Sequence, residues 1–250
     1  MASDASVGRL EEALALHQRG LQDLPLWMFL SKQAGSVLEL GCGTGRVLLP
    51  LLQEGLSAVG LEQDPVLHAA GQHKLSEAGI ADGLHHLILG DMRDFALGRK
   101  FDLIIVPYNT FCLLNDVDLE RSLKCIAAHL QPGGRLFLEA QVWPNQEESE
   151  FPWIQETGPV SIDVLGQATA FSEKAVQYQA GFPIKVERRF SAPDAEPVNY
   201  TLDMFIRSLV AWDAHLEKAG FQRMGPAHDA QGQQVHAKSR AAFFQAVVPS

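Results

Sequence analysis

Val37-Leu38-Glu39-Leu40-Gly41-Cys42-Gly43-Thr44-Gly45-Arg46 is the stretch that decides the fold, because an apolar strand runs directly into a glycine-rich turn and then a helix. Glycine serves such a turn in two ways. It adopts backbone angles that a side chain forbids, and it leaves main-chain amides bare for a ligand. That combination points to a nucleotide-like cofactor. A dinucleotide fingerprint reads G-x-G-x-x-G, its last glycine allowing close packing of helix on strand. Here the glycines are 41, 43 and 45, and the sixth position is Arg46, which disfavours NAD or FAD.

The segments that follow keep the distances of a doubly wound sheet. Ala58-Val59-Gly60-Leu61 is a short buried strand ending at Glu62, about twenty residues after the loop, where a Rossmann-like fold puts a carboxylate on ribose hydroxyls. Asp64-Pro65 reads as an N-cap with proline at the first helical position, opening a helix through about Glu77. A third strand, His85 to Leu89, runs into Gly90-Asp91-Met92-Arg93-Asp94. A fourth, Phe101 to Val106, delivers Pro107-Tyr108-Asn109-Thr110 to the same edge. Leu119, Leu123, Ile126 and Leu130 keep helical spacing, and after the turn Gln131-Pro132-Gly133-Gly134 a fifth strand runs Arg135 to Glu139.

From Val37 to Glu139 this pattern resembles the class I S-adenosylmethionine-dependent methyltransferases, whose first motif has an acidic residue two positions before G-x-G-x-G, as Glu39 precedes Gly41. The resemblance implies an α/β fold: a Rossmann-like seven-stranded sheet that binds S-adenosyl-L-methionine and releases S-adenosyl-L-homocysteine. It implies cofactor contacts from Glu39, Gly41, Cys42, Gly43 and Gly45, from Glu62 and Gln63, from Asp91 and Met92 at the adenine, and from Pro107.

About 80 residues separate the fifth strand from Gly220-Phe221, more than such a core needs. Period-two runs at Val160, Ile162 and Val164, at Val176 and Tyr178, at Ile184 and Val186, and from Val198 to Ile206 read as an inserted antiparallel sheet with one apolar face. Gly158-Pro159, Gly181-Phe182-Pro183 and Ala192-Pro193-Asp194 read as its turns. The layout is similar to that of small-molecule methyltransferases, including the amino-sugar N,N-dimethyltransferases and the glycine and sarcosine enzymes. The insertion is expected to be a lid, and is equally a candidate dimer surface. Ser208 caps a helix through Ala219, Gly220 ends it, and Ala241 to Val248 forms the last strand. The expected organisation is a helical cap over 1–35, a cofactor core over 36–145, the inserted sheet over 146–207, and completion of the core over 208–250.

Before the sheet, Leu10, Leu14 and Leu21 with His17 follow helical spacing, and Trp27 and Phe29 are expected in the core against the sheet. Arg19 is a candidate partner for the methionine carboxylate, with surface placement the alternative.

Thirty acidic against 20 basic residues give a formal charge of −10, and no basic cluster offers a phosphate track, so nucleic acid is not an expected partner. An apolar run near 18 residues and a basic leader are both lacking, so no membrane association is expected and the protein is read as cytoplasmic. Cys42, Cys112 and Cys125 lack metal or disulfide spacing, and His68, His73, His85, His86 and His215 form no defensible ligand set, so no metal is assigned.

Tyr108 and Asn109 after the fourth strand, with Glu139, Gln141 and Trp143 after the fifth, stand where an acceptor would face the sulfonium; Glu139 is the candidate proton acceptor or, alternatively, an orienting group. His129 is expected to be structural. The reading is methyl transfer to a small molecule, with nitrogen preferred because the inserted sheet resembles that of the amino-group methyltransferases named above and an acidic protein attracts a cationic amine. A protein or RNA methyltransferase, or a non-catalytic cofactor-binding regulator, remains the alternative.

Overall fold

The computed structural model describes residues 10, 13, 14, 17, 22–80, 86–142, 152–164, 167–179, 182–229, 232–235 and 241–249. The chain divides into two compact units, Asp23–Pro144 with Arg207–Ser250, and Met1–Gln22 with Asn145–Ile206.

The larger unit is built on a seven-stranded sheet. In chain order its described elements are α1 (Leu24–Ser31), β1 (Val37–Leu40), α2 (Leu48–Gln53), β2 (Ala58–Glu62), α3 (Pro65–Glu77), β3 (Leu87–Leu89), β4 (Phe101–Val106), α4 (Asp116–His129) and β5 (Leu130–Gln141). After the insertion come α5 (Leu209–Lys218), β10 (Gln222–Arg223) and β11 (Ala241–Val247). The strand order is β10-β11-β5-β4-β1-β2-β3. β1 pairs in parallel with both β2 and β4, so the winding reverses between β1 and β4 and opens a crevice at their carboxyl ends. β11 runs antiparallel beside β5.

β1 and β2 are buried along their whole length, as strands covered on both faces must be. On one face Trp27, Leu48, Leu51, Leu75, Leu103, Ile105 and Phe243 form a continuous core. Polar side chains cap the helices, Asp64 and Ser208 at the expected places and Asn115 in addition. Asp64 accepts from the Val66 and Leu67 amides, Asn115 from Asp118, and Ser208 from Ala211. Trp27 is fully buried, edge-on to Phe137. Phe29 is not in the core: it is 65% exposed, because two residues along a helix turn its side chain about 200° away from Trp27.

The smaller unit contains the antiparallel sheet β6 (Trp153–Val164), β7 (Gln167–Gln177), β8 (Ile184–Ser191) and β9 (Val198–Met204), paired in that order. Ile162, Phe171 and Phe190 on its apolar face cluster with Leu10 and Leu14 of the amino-terminal segment. Gly158-Pro159 is not the turn expected from composition. It sits inside β6, where the register slips between Thr157 and Val160, and a bulge absorbs the residues that a turn would have used. The reversal into β7 follows Val164 instead.

The glycine loop also dictates what can stand beside it. A Cβ on Gly60 of β2 would lie 2.5 Å from the Cys42 Sγ and 3.0 Å from its Cβ. Gly60→Ala should therefore destabilise the fold by about 1–3 kcal/mol and lower Tm by several degrees; a melting curve that superimposes on the wild type would show that the loop yields freely.

Candidate functional site

The crevice is floored by the turn after β1. Gly41, Gly43 and Gly45 all have left-handed φ, at 66°, 56° and 88°, so the alternate glycines have a conformational reason. At Gly41 there is a steric reason as well, since a Cβ there would lie 2.5 Å from the Thr110 Cγ2 on the turn after β4. At Gly43 an added Cβ would meet no heavy atom within 4 Å, so the loop presents bare backbone to open space. Cys42 is buried beneath it, and burial pushes its thiol well above the ordinary range, which removes it as a nucleophile.

Glu62, at the end of β2, is 7% exposed. Its Oε2 accepts from the Gly43 amide at 2.8 Å and its Oε1 from the Asp64 amide at 2.8 Å. Each oxygen keeps a lone pair, so the carboxylate can still accept from a hydroxyl. Gln63 beside it is exposed.

Glu39, near the end of β1, is 3% exposed, and its Oε2 is sealed from solvent with no hydrogen-bond partner. Burial raises its carboxyl to about 8, against the opposing pull of Arg46 and the Leu48 amide, while Glu62 and Asp23 push it further up.

Arg46 spans Asp23 bidentately, at 2.6 and 2.8 Å, and Asp23 also accepts from the Trp27 indole at 2.9 Å. Burial works against the Asp23 charge, yet the Arg46 and Trp27 hydrogen bonds outweigh it and hold this carboxyl below its ordinary value. The Arg46 guanidinium lies 5.8 Å from the Tyr108 ring centroid. One side chain thus joins the segment before α1, the glycine loop and the turn after β4. No sequence motif marks this role: Arg46 stands out in the chain only as a departure from the dinucleotide pattern, and Asp23 lies 23 residues away from it with no motif of its own.

After β3, Met92 is buried. The Asp91 carboxylate is spanned by Arg93, at 2.9 Å from Nε and 2.6 Å from Nη2, and this hydrogen bonding holds it below the usual carboxylate range. Arg93, which no sequence motif marks, also reaches Asp118 on α4 at 3.3 Å.

The turn after β4 is strained. Tyr108 and Asn109 are the two non-glycine residues with left-handed φ, at 56° and 59°, among those described. Pro107 before them is buried, and the Thr110 hydroxyl donates to its carbonyl at 2.8 Å. Glu139 on β5 is fully buried, and its Oε2 accepts from the Tyr108 amide at 3.0 Å. Its carboxylate therefore braces the strained turn. Asn109 Oδ1 is sealed from solvent and has no partner.

Gln141 is half-buried, while Arg19, Leu21, His85 and Trp143 lie outside the described residues. His129 takes the Leu97 amide on Nε2 at 3.1 Å and uses Nδ1 toward the Cys125 carbonyl at 2.8 Å, a helix-end contact remote from the crevice chemistry. Among the described residues no group of His, Cys, Asp and Glu is arranged to hold a metal, and no helix is long and apolar enough to cross a membrane.

Residues 37–134 match a family model described as a methyltransferase domain. Over 171 residues the chain is 32% identical to a dTDP-3-amino-3,4,6-trideoxy-alpha-D-glucopyranose N,N-dimethyltransferase from Streptomyces venezuelae, covering 65% of this chain and 63% of that one. It is 33% identical over 116 residues to a dTDP-3-amino-3,6-dideoxy-alpha-D-glucopyranose N,N-dimethyltransferase from Streptomyces fradiae, covering 46% and 43%. The matches thus span less than two thirds of these curated relatives. The fold superimposes on that of the CcbJ methyltransferase from Streptomyces caelestis with a TM-score of 0.76, 18% identity, and coverage of 91% and 90%.

A carboxyl whose folded value, about 8, exceeds its ordinary 4.5 binds its proton more tightly in the folded state. The stability this contributes is fully present below pH 4.5 and is lost as pH rises through 8. Denaturant midpoints should therefore fall across that window in the wild type, by an amount on the order of 3–5 kcal/mol in stability, and stay flatter in Glu39→Gln. Parallel pH profiles would mean that Glu39 is ionised in the folded protein.

Proposed function

We propose that this chain, which carries a methyltransferase domain over residues 37–134, is an S-adenosylmethionine-dependent enzyme that methylates a nitrogen of a small-molecule acceptor and releases S-adenosylhomocysteine. The observation that carries the reading is the left-handed glycine turn at the switch point, open above Gly43 and braced below by Glu62.

The residues fit such a cofactor on two structural grounds. Bare loop backbone gives it room, and the unpartnered Glu39 Oε2 is an acceptor in need of a cationic donor. In this reading Glu62 holds the ribose hydroxyls, with Gln63 beside it. Asp91, kept in place by Arg93, meets the adenine together with Met92, and Pro107 closes that side. Glu39, Gly41, Cys42, Gly43 and Gly45 surround the amino-acid end.

When bound, the cofactor supplies a methyl group on a positively charged sulfur. A neutral amine attacking it disperses charge, so the protein's task is to align, exclude water and receive an N–H. Asn109 Oδ1 suits the last task, being a buried carbonyl acceptor without a partner. Tyr108 stands next to it on the same strained turn, and Glu139 acts as the positioning residue that holds this turn through the Tyr108 amide. Nitrogen is supported by the two curated relatives, both named as N,N-dimethyltransferases of amino sugars, and by the formal charge of −10.

Two measurements test the assignment. Glu62→Ala should weaken S-adenosylhomocysteine binding by about 1–3 kcal/mol with NAD not bound at all; unaltered affinity in calorimetry would detach Glu62 from the cofactor. Asn109→Gly keeps the left-handed backbone but removes the amide, and should lower kcat with an amine acceptor by about tenfold or more while cofactor affinity stays within about threefold. Equal turnover in that variant would move the acceptor away from the turn after β4.

A further inference from the structure

The ground beneath the glycine loop holds more carboxylate than its cation balances. Asp23, Glu39 and Glu62 are 8%, 3% and 7% exposed. Arg46, the guanidinium among them, has both Nη atoms on Asp23. Glu62 divides its oxygens between two backbone amides. Glu39 alone keeps a carboxyl oxygen sealed from solvent and without a partner. A carboxyl in that setting is carried as the neutral acid, because desolvating an unpaired charge costs far more than holding a proton.

Three of the groups facing it are held away from neutrality. The Cys42 thiol is pushed up by burial and by Glu39 and Glu62. Burial works against the Arg46 charge, but the Asp23 hydrogen bond keeps it protonated. Asp23 is held below its ordinary value despite burial, by Arg46 and Trp27.

We propose that Glu39 is a proton-releasing receptor for a primary ammonium: it holds a proton in the ligand-free protein and gives it to solvent when the amino group of the cofactor's amino-acid end arrives. This rests on the cofactor assigned above. The step balances as carboxylic acid to carboxylate plus one proton taken by buffer, with the ligand's ammonium keeping its own protons. The S-adenosylhomocysteine amino-acid end carries the same ammonium as the cofactor, so its binding triggers the same release. The nucleoside 5′-methylthioadenosine lacks that end and should bind without release.

The test is calorimetry at pH 7 in buffers of different ionisation enthalpy, whose slope counts protons exchanged on binding. With S-adenosylhomocysteine the wild type should release about 0.9 proton, the protonated fraction of a group near 8, and affinity should rise nearly tenfold from pH 6 to pH 7. Glu39→Gln, which mimics the neutral acid and so should fold, is expected to bind more weakly with no release and a flat pH dependence. In the wild type 5′-methylthioadenosine should give a slope of zero, a comparison that needs no variant.

Binding of S-adenosylhomocysteine without proton release would overturn the inference and leave the cofactor assignment standing. So would equal release with 5′-methylthioadenosine, or undiminished release in Glu39→Gln. Failure of S-adenosylhomocysteine to bind at all would overturn the cofactor assignment itself, and the inference with it.

Discussion

The carboxylate of Glu62 ties the site together. It lies at the end of β2 and accepts, on separate oxygens, the Gly43 amide of the loop after β1 and the Asp64 amide at the cap of α3. Two chain reversals at adjacent strand ends are thus pinned to one buried side chain. Without it both would carry an unsatisfied amide, each costing about as much as a lost hydrogen bond. The approach is close enough to dictate neighbours: Gly60 must lack a Cβ because Cys42 occupies that space, and Gly41 because Thr110 does. The crevice is therefore shaped by contacts among three strand ends, β1, β2 and β4.

The second constraint is strain in the turn after β4. Tyr108 and Asn109 hold backbone angles that cost on the order of 1–3 kcal/mol each in a non-glycine residue. Such a turn persists only where its surroundings over-determine it. Here Glu139 takes the Tyr108 amide from β5, the Thr110 hydroxyl closes onto the Pro107 carbonyl, and Arg46 sits over the Tyr108 ring. Because Arg46 is also clamped by Asp23, the glycine loop and the turn after β4 share one brace.

Much of this was legible in the chain because it follows local rules. The strand and glycine turn from Val37 to Gly45, the Asp64-Pro65 helix start, the buried Leu119, Leu123 and Ile126, and the Ser208 cap each depend on periodicity or on a cap within a few residues. What the sequence did not disclose depends on distant partners. Asp23 and Arg46 pair across 23 residues, Tyr108 and Glu139 across 31, and Arg93 reaches 25 residues to Asp118. Nothing in the local context of each marks its partner. Gly158-Pro159 was misread for a related reason: composition signals a break in the chain's direction, but pairing on both sides of it turned that break into a bulge. Phe29 was misplaced because a single aromatic residue carries no phase, and only the helix of α1 tells which way it points.

The central claim is that the crevice brings a methyl donor and an amine together. Its most direct measurement is mass spectrometry of the products formed when the protein is given methyl-labelled S-adenosylmethionine and a panel of small amines, amino sugars among them. The account predicts label on nitrogen of a small acceptor, with S-adenosylhomocysteine in equal amount, and formation of both slowed by about tenfold or more in Asn109→Gly. Label recovered on the oxygen or carbon of the acceptor, on protein or on RNA would contradict it, as would tight cofactor binding with no labelled product from any amine.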